Sequence, residues 1–146
     1  MQSKKNIRLL VLCTGNSCRS QMAEGWIRHL SDGAVEVYSA GVETHGVNQH
    51  AIRVMKEAGV DISHHTSNHV DEYSDIDFDA VLTVCDHAKE RCPVFPGSTK
   101  TYHRNFTDPA SLEGSDGEIL KGFRQVRNEI ETYTGELLKE LGHGHS

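Results

Sequence analysis

The stretch from Ile7 to Ser20, IRLLVLCTGNSCRS, constrains the fold more than any other part of the chain. Ile7 to Cys13 is an apolar run interrupted only by Arg8, which is the pattern of a strand buried in a sheet. Thr14, Gly15, Asn16 and Ser17 then make a turn, and Met22, Ala23, Trp26, Ile27 and Leu30 recur at helical spacing. The order is strand, loop, helix. Asp32-Gly33 turns the chain into a second short strand, Val35 to Ser39, followed by a loop from Gly41 to Asn48. A second helix carries Ala51, Ile52, Met55 and Ala58 on one face, with Gly59 at its C-terminal end. Phe78 to Cys85 is apolar at nearly every position and rich in β-branched residues, as the centre of a parallel sheet requires. Pro93, Pro96 and Gly97 stop whatever short helix follows Cys85, and Thr99 to Tyr102 supplies a last strand. Ile119, Leu120, Phe123, Val126, Ile130, Tyr133, Leu137 and Leu141 keep a helical period through a long closing helix, Glu118 to Leu141.

Strands alternating with helices imply right-handed crossovers and a parallel sheet covered on both faces. The expectation is an α/β fold, a single three-layer domain over residues 1–146 with a central four-stranded parallel sheet flanked by helices. Ligands of such sheets sit beyond the carboxyl ends of the strands. Cys13 and Cys85 both fall at such ends.

A chain of 146 residues can bury a core without disulfides or a structural metal. The apolar run after Lys4 and Lys5 is too short for a signal peptide or a membrane span, so a cytoplasmic protein is expected. The thiol pool there is reducing, and the 4 cysteines are then catalytic, redox-active or metal-binding rather than a disulfide framework. A net charge of -6 with no basic block speaks against nucleic acid and anionic membranes as partners. An anionic substrate must instead be captured by a few local donors. The 10 histidines are scattered, and His143 and His145 lie in a Gly-rich tail with no partner at a zinc spacing. No exposed apolar stripe demands a partner subunit, so a monomer is expected.

Cys13, Thr14, Gly15, Asn16, Ser17, Cys18, Arg19 and Ser20 close a strand and open a helix. Successive backbone N–H groups can there point into one concavity at the positive end of the helix dipole, which makes a cradle for a tetrahedral anion. Gly15 allows the tight path, and Asn16 tolerates a left-handed backbone. At the floor of such a nest Cys13 should have a lowered pKa and act as a nucleophile. Arg19 can hold two oxygens through its planar fork, and Ser20 is placed to donate to the sulfur. Cys18 reads as a small packing residue. Asp108, fixed in an extended conformation by Pro109, is a candidate general acid, because a carboxyl group over an anion is pushed toward its protonated form.

The Cys-x5-Arg-Ser pattern after the first strand, with the Asp-Pro pair, resembles the low-molecular-weight protein tyrosine phosphatases. The chain is most similar to the thioredoxin-coupled arsenate reductases that share that fold. The resemblance is carried by CTGNSCRSQMAEGW at 13–26, VYSAG at 37–41, ETHGVN at 43–48, DIS at 61–63, and Cys85 with Cys92-Pro93. Gln21 stands where the phosphatases usually have proline, and a cysteine pair follows the central strand. What the resemblance implies is a low-molecular-weight phosphatase-like fold and a relay. Cys13 attacks arsenate, Cys85 attacks the Cys13 sulfur to release arsenite, and Cys92 attacks Cys85. Thioredoxin, or another thiol reductant, reduces the last disulfide. The resemblance also implies a monovalent-cation site near Asn16, Glu24 and Ser39. A usual aspartate of that site is Asn68 here, so K+ is expected to bind weakly.

Cys85 and Cys92 are too far apart for a bond on an intact helix, where seven residues span roughly 10 Å and a disulfide needs about 4.4–6.8 Å between Cα atoms. Residues 86–91 are therefore expected to loop out on oxidation. Two other readings stay open. A phosphatase would need Cys13, Arg19 and Asp108 but neither Cys85 nor Cys92. A zinc module using the cysteines and His87 fits poorly, because the spacings are not those of short zinc-binding pairs.

Overall fold

The computed structural model describes residues 7–86 and 99–142. Cys92, His87, the segment expected to loop out beyond Asp86, and the tail histidines His143 and His145 lie outside the described residues. Four strands, β1 (Ile7–Cys13), β2 (Val35–Gly41), β3 (Ala80–Thr83) and β4 (Lys100–His103), form one sheet in the order β2-β1-β3-β4. Every pairing is parallel. The helices are α1 (Arg19–Leu30), α2 (Gln49–Glu57) and α3 (Asp116–Glu140), with short 3-10 turns at Val70–Tyr73 and Pro109–Ser111. None of the described helices is long and apolar enough to cross a membrane.

Strand β1 is central because it can be buried on both sides. Leu9, Val11 and Cys13 face a core shared with Met22, Ile27, Met55, Phe123 and Ile130 from the three helices. Leu10 and Leu12 point the other way, into a smaller core with Ala40, Val70, Phe78 and Val81. Among the described residues, the segment around Val70 to Phe78 covers that second face, and Tyr38 makes edge contacts with Tyr73 and Phe78. Successive side chains of a strand point to opposite faces, so two apolar sets on one seven-residue strand build two layers.

The chain leaves β1 for β2 on one side and later returns to β3 on the other. The carboxyl end of β1 is thus the point where the strand order reverses, where a crevice opens in sheets of this kind. Boundaries differ from the sequence expectation at the strand ends. Strand β3 is shorter than Phe78–Cys85, because Asp79 caps its start with a carboxylate that accepts from Arg8 N–H at 2.8 Å. Its last backbone bond to β1 is Val84 N–H to Leu12 at 2.9 Å, which frees Cys85 to turn toward the loop after β1. Strand β2 runs on to Gly41, whose N–H bonds Asn68 at 2.8 Å. Alternation alone could not reveal that extension, since Ala40 and Gly41 carry no periodic signal.

Candidate active site

The loop after β1 is held from outside by its carbonyls. Those of Cys13, Thr14, Gly15 and Ser17 accept from the N–H groups of Val42, Glu43, His45 and Asn48, at 2.9 to 3.3 Å. The carbonyl of Asn16 accepts from the Gln21 side chain at 3.0 Å. With the carbonyls turned outward, the N–H groups of Thr14 to Ser17 bond no carbonyl among the described residues. This is the anion nest that the sequence implied. Asn16 sits at φ 49 and is fully buried, as expected. Its amide donates to Ser20 Oγ and Ser39 Oγ at 2.8 and 3.1 Å, and its Oδ1 accepts from Asn68 N–H at 2.7 Å. A Cβ at Gly15 would run into the exposed His45 ring, which would have to swing aside.

Cys13 and Cys85 meet at the floor. The Cys85 thiol stands beside the Cys13 sulfur, and Thr14 Oγ1 lies 3.2 Å from Cys85 Sγ. The expected lowering of the Cys13 pKa is reversed. The neighbouring Cys85 thiol and burial push it well up, against the opposing pull of the Arg19 charge and the Ser20 N–H. Weighing the donors of the loop alone left out the second sulfur and the loss of water. The Ser20 N–H pulls the Cys13 pKa down, while the Ser20 hydroxyl accepts from Asn16. Cys18 is the N-cap of α1, is buried, and has its thiol pushed up to about 12 by that burial.

Arg19 is only 8% exposed. Its Nη1 donates to the Phe106 carbonyl at 3.0 Å and its Nη2 lies 3.7 Å from Asp108 Oδ2. Its buried Nε bonds nothing among the described residues. A buried guanidinium edge of this kind calls for an acceptor, and an oxyanion in the nest supplies two. Asp108 has the extended backbone that Pro109 imposes, at φ -79 and ψ 105, and caps the 3-10 turn that follows it. Cys13, Cys85, Arg19, Asp108 and the loop Thr14 to Ser20 therefore come together.

A sequence model of the low molecular weight phosphotyrosine protein phosphatases matches residues 8–146. The chain belongs to that family. An arsenate reductase from Bacillus licheniformis is 49% identical over 140 residues, 95% of this chain and 96% of that one, which places the chain in the family's arsenate reductase branch. A solved arsenate reductase in a phosphate-binding state superposes with a TM-score of 0.74 at 33% identity, covering 92% of this chain and 98% of that one. Another in an oxidized state gives 0.79 at 29% identity, covering 91% and 97%.

The cation set that some members of this family carry does converge here, but it does not fit a bound ion. Ser39 Oγ donates to Glu24 Oε1 at 2.6 Å, Asn16 Oδ1 is taken by Asn68 N–H, and Thr66 Oγ1 donates to Asn68 Oδ1 at 2.8 Å. The set's single carboxylate, Glu24, is neutralised by Arg28, whose Nη2 lies 2.6 Å away. Its oxygens are committed within the protein.

Sequence reasoning missed the support behind the loop. Gln21 Nε2 donates to both Asn16 O and Thr66 O, so its Oε1 accepts from His65 Nδ1 at 2.9 Å. His65 Nε2 then accepts from Arg28 at 3.1 Å, which fixes the neutral tautomer, and burial lowers its pKa accordingly. Gly41 lies so close under the loop that a Cβ would meet Thr14 O at 2.7 Å and Asn16 N at 2.8 Å. Gln21 and Gly41 lie in the segments that carried the resemblance, whereas Arg28, His65 and Thr66 lie outside them and gave no signal of this role.

Proposed function

We propose that this chain reduces arsenate to arsenite through Cys13, Cys85 and Cys92, and that thioredoxin reduces the resulting disulfide in a reducing compartment. The observation that carries the reading is the Cys85 thiol set beside Cys13 and 3.2 Å from Thr14 Oγ1 at the floor of an oxyanion nest. A phosphate ester hydrolase has no use for a second thiol there. Arsenate enters the nest against the N–H groups of Thr14 to Ser17 and the Arg19 fork. Cys13 starts protonated, and the arriving oxyanion can take that proton as the sulfur attacks arsenic. Asp108 protonates the departing oxygen, which leaves as water, and a Cys13-arsenic bond remains. Cys85 then attacks the Cys13 sulfur, the sulfur-arsenic electron pair moves onto arsenic, and arsenite leaves. Cys92 exchanges with the Cys13-Cys85 disulfide at Cys85, restoring Cys13.

The test is arsenate-dependent NADPH oxidation with thioredoxin and its reductase, set beside a glutaredoxin and glutathione control. Cys92→Ala should abolish multiple turnover while leaving any hydrolysis of a phosphate ester intact, because that needs Cys13, Arg19 and Asp108 alone. Arsenate reduction by Cys92→Ala at the parent rate would overturn the relay. Faster turnover with glutaredoxin than with thioredoxin would overturn the reductant.

A further inference from the structure

Asp86 directly follows Cys85 and is tied down twice. Its Oδ1 lies 2.7 Å from His103 Nε2, and its backbone N–H donates to Asn105 Oδ1 at 3.2 Å. His103 Nδ1 lies 2.7 Å from Thr83 Oγ1, and Thr83 and His103 are register partners across β3 and β4. A carboxylate only accepts, so the bond to Asp86 needs the proton on Nε2. The Thr83 hydroxyl holds Nδ1 from the other side, and the same Oγ1 lies 3.4 Å from Tyr102 O. The chain of bonds runs from a buried strand residue to an exposed carboxylate: Thr83 is 5% exposed overall, and the side chains of His103 and Asp86 are 23% and 71% exposed.

We infer that Thr83, His103 and Asn105 are positioning residues that clip Asp86 in place and thereby hold Cys85 against Cys13 and Thr14 for the first disulfide step. The inference rests on the reading of Cys85 as the second nucleophile. In that step the bond formed joins the Cys85 and Cys13 sulfurs, and the bond broken is sulfur to arsenic. Its electron pair reduces arsenic, both cysteines are oxidised, and the Cys85 proton goes to solvent. Attack requires the sulfurs to be within about 3–3.5 Å and aligned. The sheet cannot ensure this, because its last bond is made by Val84, one residue before Cys85. The clip fixes the backbone on the far side. Its outer member is an exposed hydrogen bond between His103 and Asp86, weak enough to release when Cys85 must turn toward Cys92.

The experiment is a single turnover with arsenate in the full chain carrying Cys92→Ser, which traps the Cys13-Cys85 disulfide for detection by mass spectrometry. Asp86→Ala and His103→Ala should each slow its formation about ten-fold, the effect of one charge-assisted hydrogen bond. The double variant should be no slower than either single one, because both remove the same contact. Asp86→Asn, whose amide oxygen still accepts from Nε2, should stay within about two-fold of the parent. Affinity for inorganic phosphate should be unchanged, which a general loosening of the fold would not allow. Parent rates in Asp86→Ala, or losses that multiply in the double variant, would overturn the clip. If His103→Ala does not fold, the exposed Asp86 pair of variants decides alone. Absence of the disulfide in the Cys92→Ser parent refutes the relay instead.

Discussion

Thr14 Oγ1 lies 3.2 Å from Cys85 Sγ, so the first residue of the anion loop also touches the second sulfur. A hydroxyl hydrogen aimed at a sulfur that must become anionic stabilises the attacking form. Thr14→Val keeps the branched shape and deletes the hydroxyl. It should slow formation of the Cys13-Cys85 disulfide about ten-fold, while inhibition by inorganic phosphate stays unchanged because the loop backbone still binds the anion. Rapid-quench measurement of the disulfide, with the phosphate inhibition constant alongside, checks both halves.

Arg19 divides its donors between the Phe106 carbonyl and the side of Asp108. Lysine would keep the charge but could not bond Phe106 O and two oxygens of an oxyanion together. Arg19→Lys should therefore lower kcat/KM for arsenate about hundred-fold, the scale of losing a preorganised donor to an oxyanion. Initial rates across arsenate concentration decide it. A loss below about three-fold would remove Arg19 from oxyanion binding.

The parts of the fold legible in the sequence were those with a periodic or motif signal. Ile7–Cys13, the α1 stripe and the long α3 stripe each announced themselves through apolar spacing, and the Gly15-Asn16 turn through its residue types. Strand ends were misplaced at Phe78 and Cys85, because apolar character continues past the residues that still share backbone bonds with β1. The Cys13 environment was misjudged, since its neighbour Cys85 is distant in sequence and no local pattern reports their contact. The same holds for the Asp86, His103 and Asn105 contacts, which only the β3 to β4 register brings together.

Cys18 gives the protein a pH-dependent term in stability. Burial raises its thiol from 9.0 to about 12, so the folded state holds this proton after the unfolded chain has lost it. The stabilisation is complete below pH 9.0 and drains away as pH climbs toward about 12, at up to about 1.4 kcal/mol for each pH unit. Urea unfolding of the parent and of Cys18→Ala should give a stability difference that is flat below pH 9 and narrows in favour of the variant above it. Cys18→Ser should also keep most arsenate turnover. A pH-independent difference would show that the thiol does not titrate in this way.

Arg28 stands where a bound cation would otherwise balance Glu24. Its Nη2 contacts Glu24 Oε2 at 2.6 Å and Val37 O at 3.3 Å, and its Nη1 contacts His65 at 3.1 Å. A tethered guanidinium needs no ion from solution, so turnover and thermal midpoint should be the same in potassium chloride and in choline chloride at matched ionic strength. Arg28→Ala leaves Glu24, which is 14% exposed at its side chain, as an uncompensated carboxylate beside Ser39. Potassium at about 0.1 M should then raise the midpoint of this variant by about 2 °C or more, since an ion that binds only the folded state stabilises it. Differential scanning fluorimetry in the two salts checks it. A potassium response in the parent, or none in Arg28→Ala, would show that the guanidinium does not take the place of an ion.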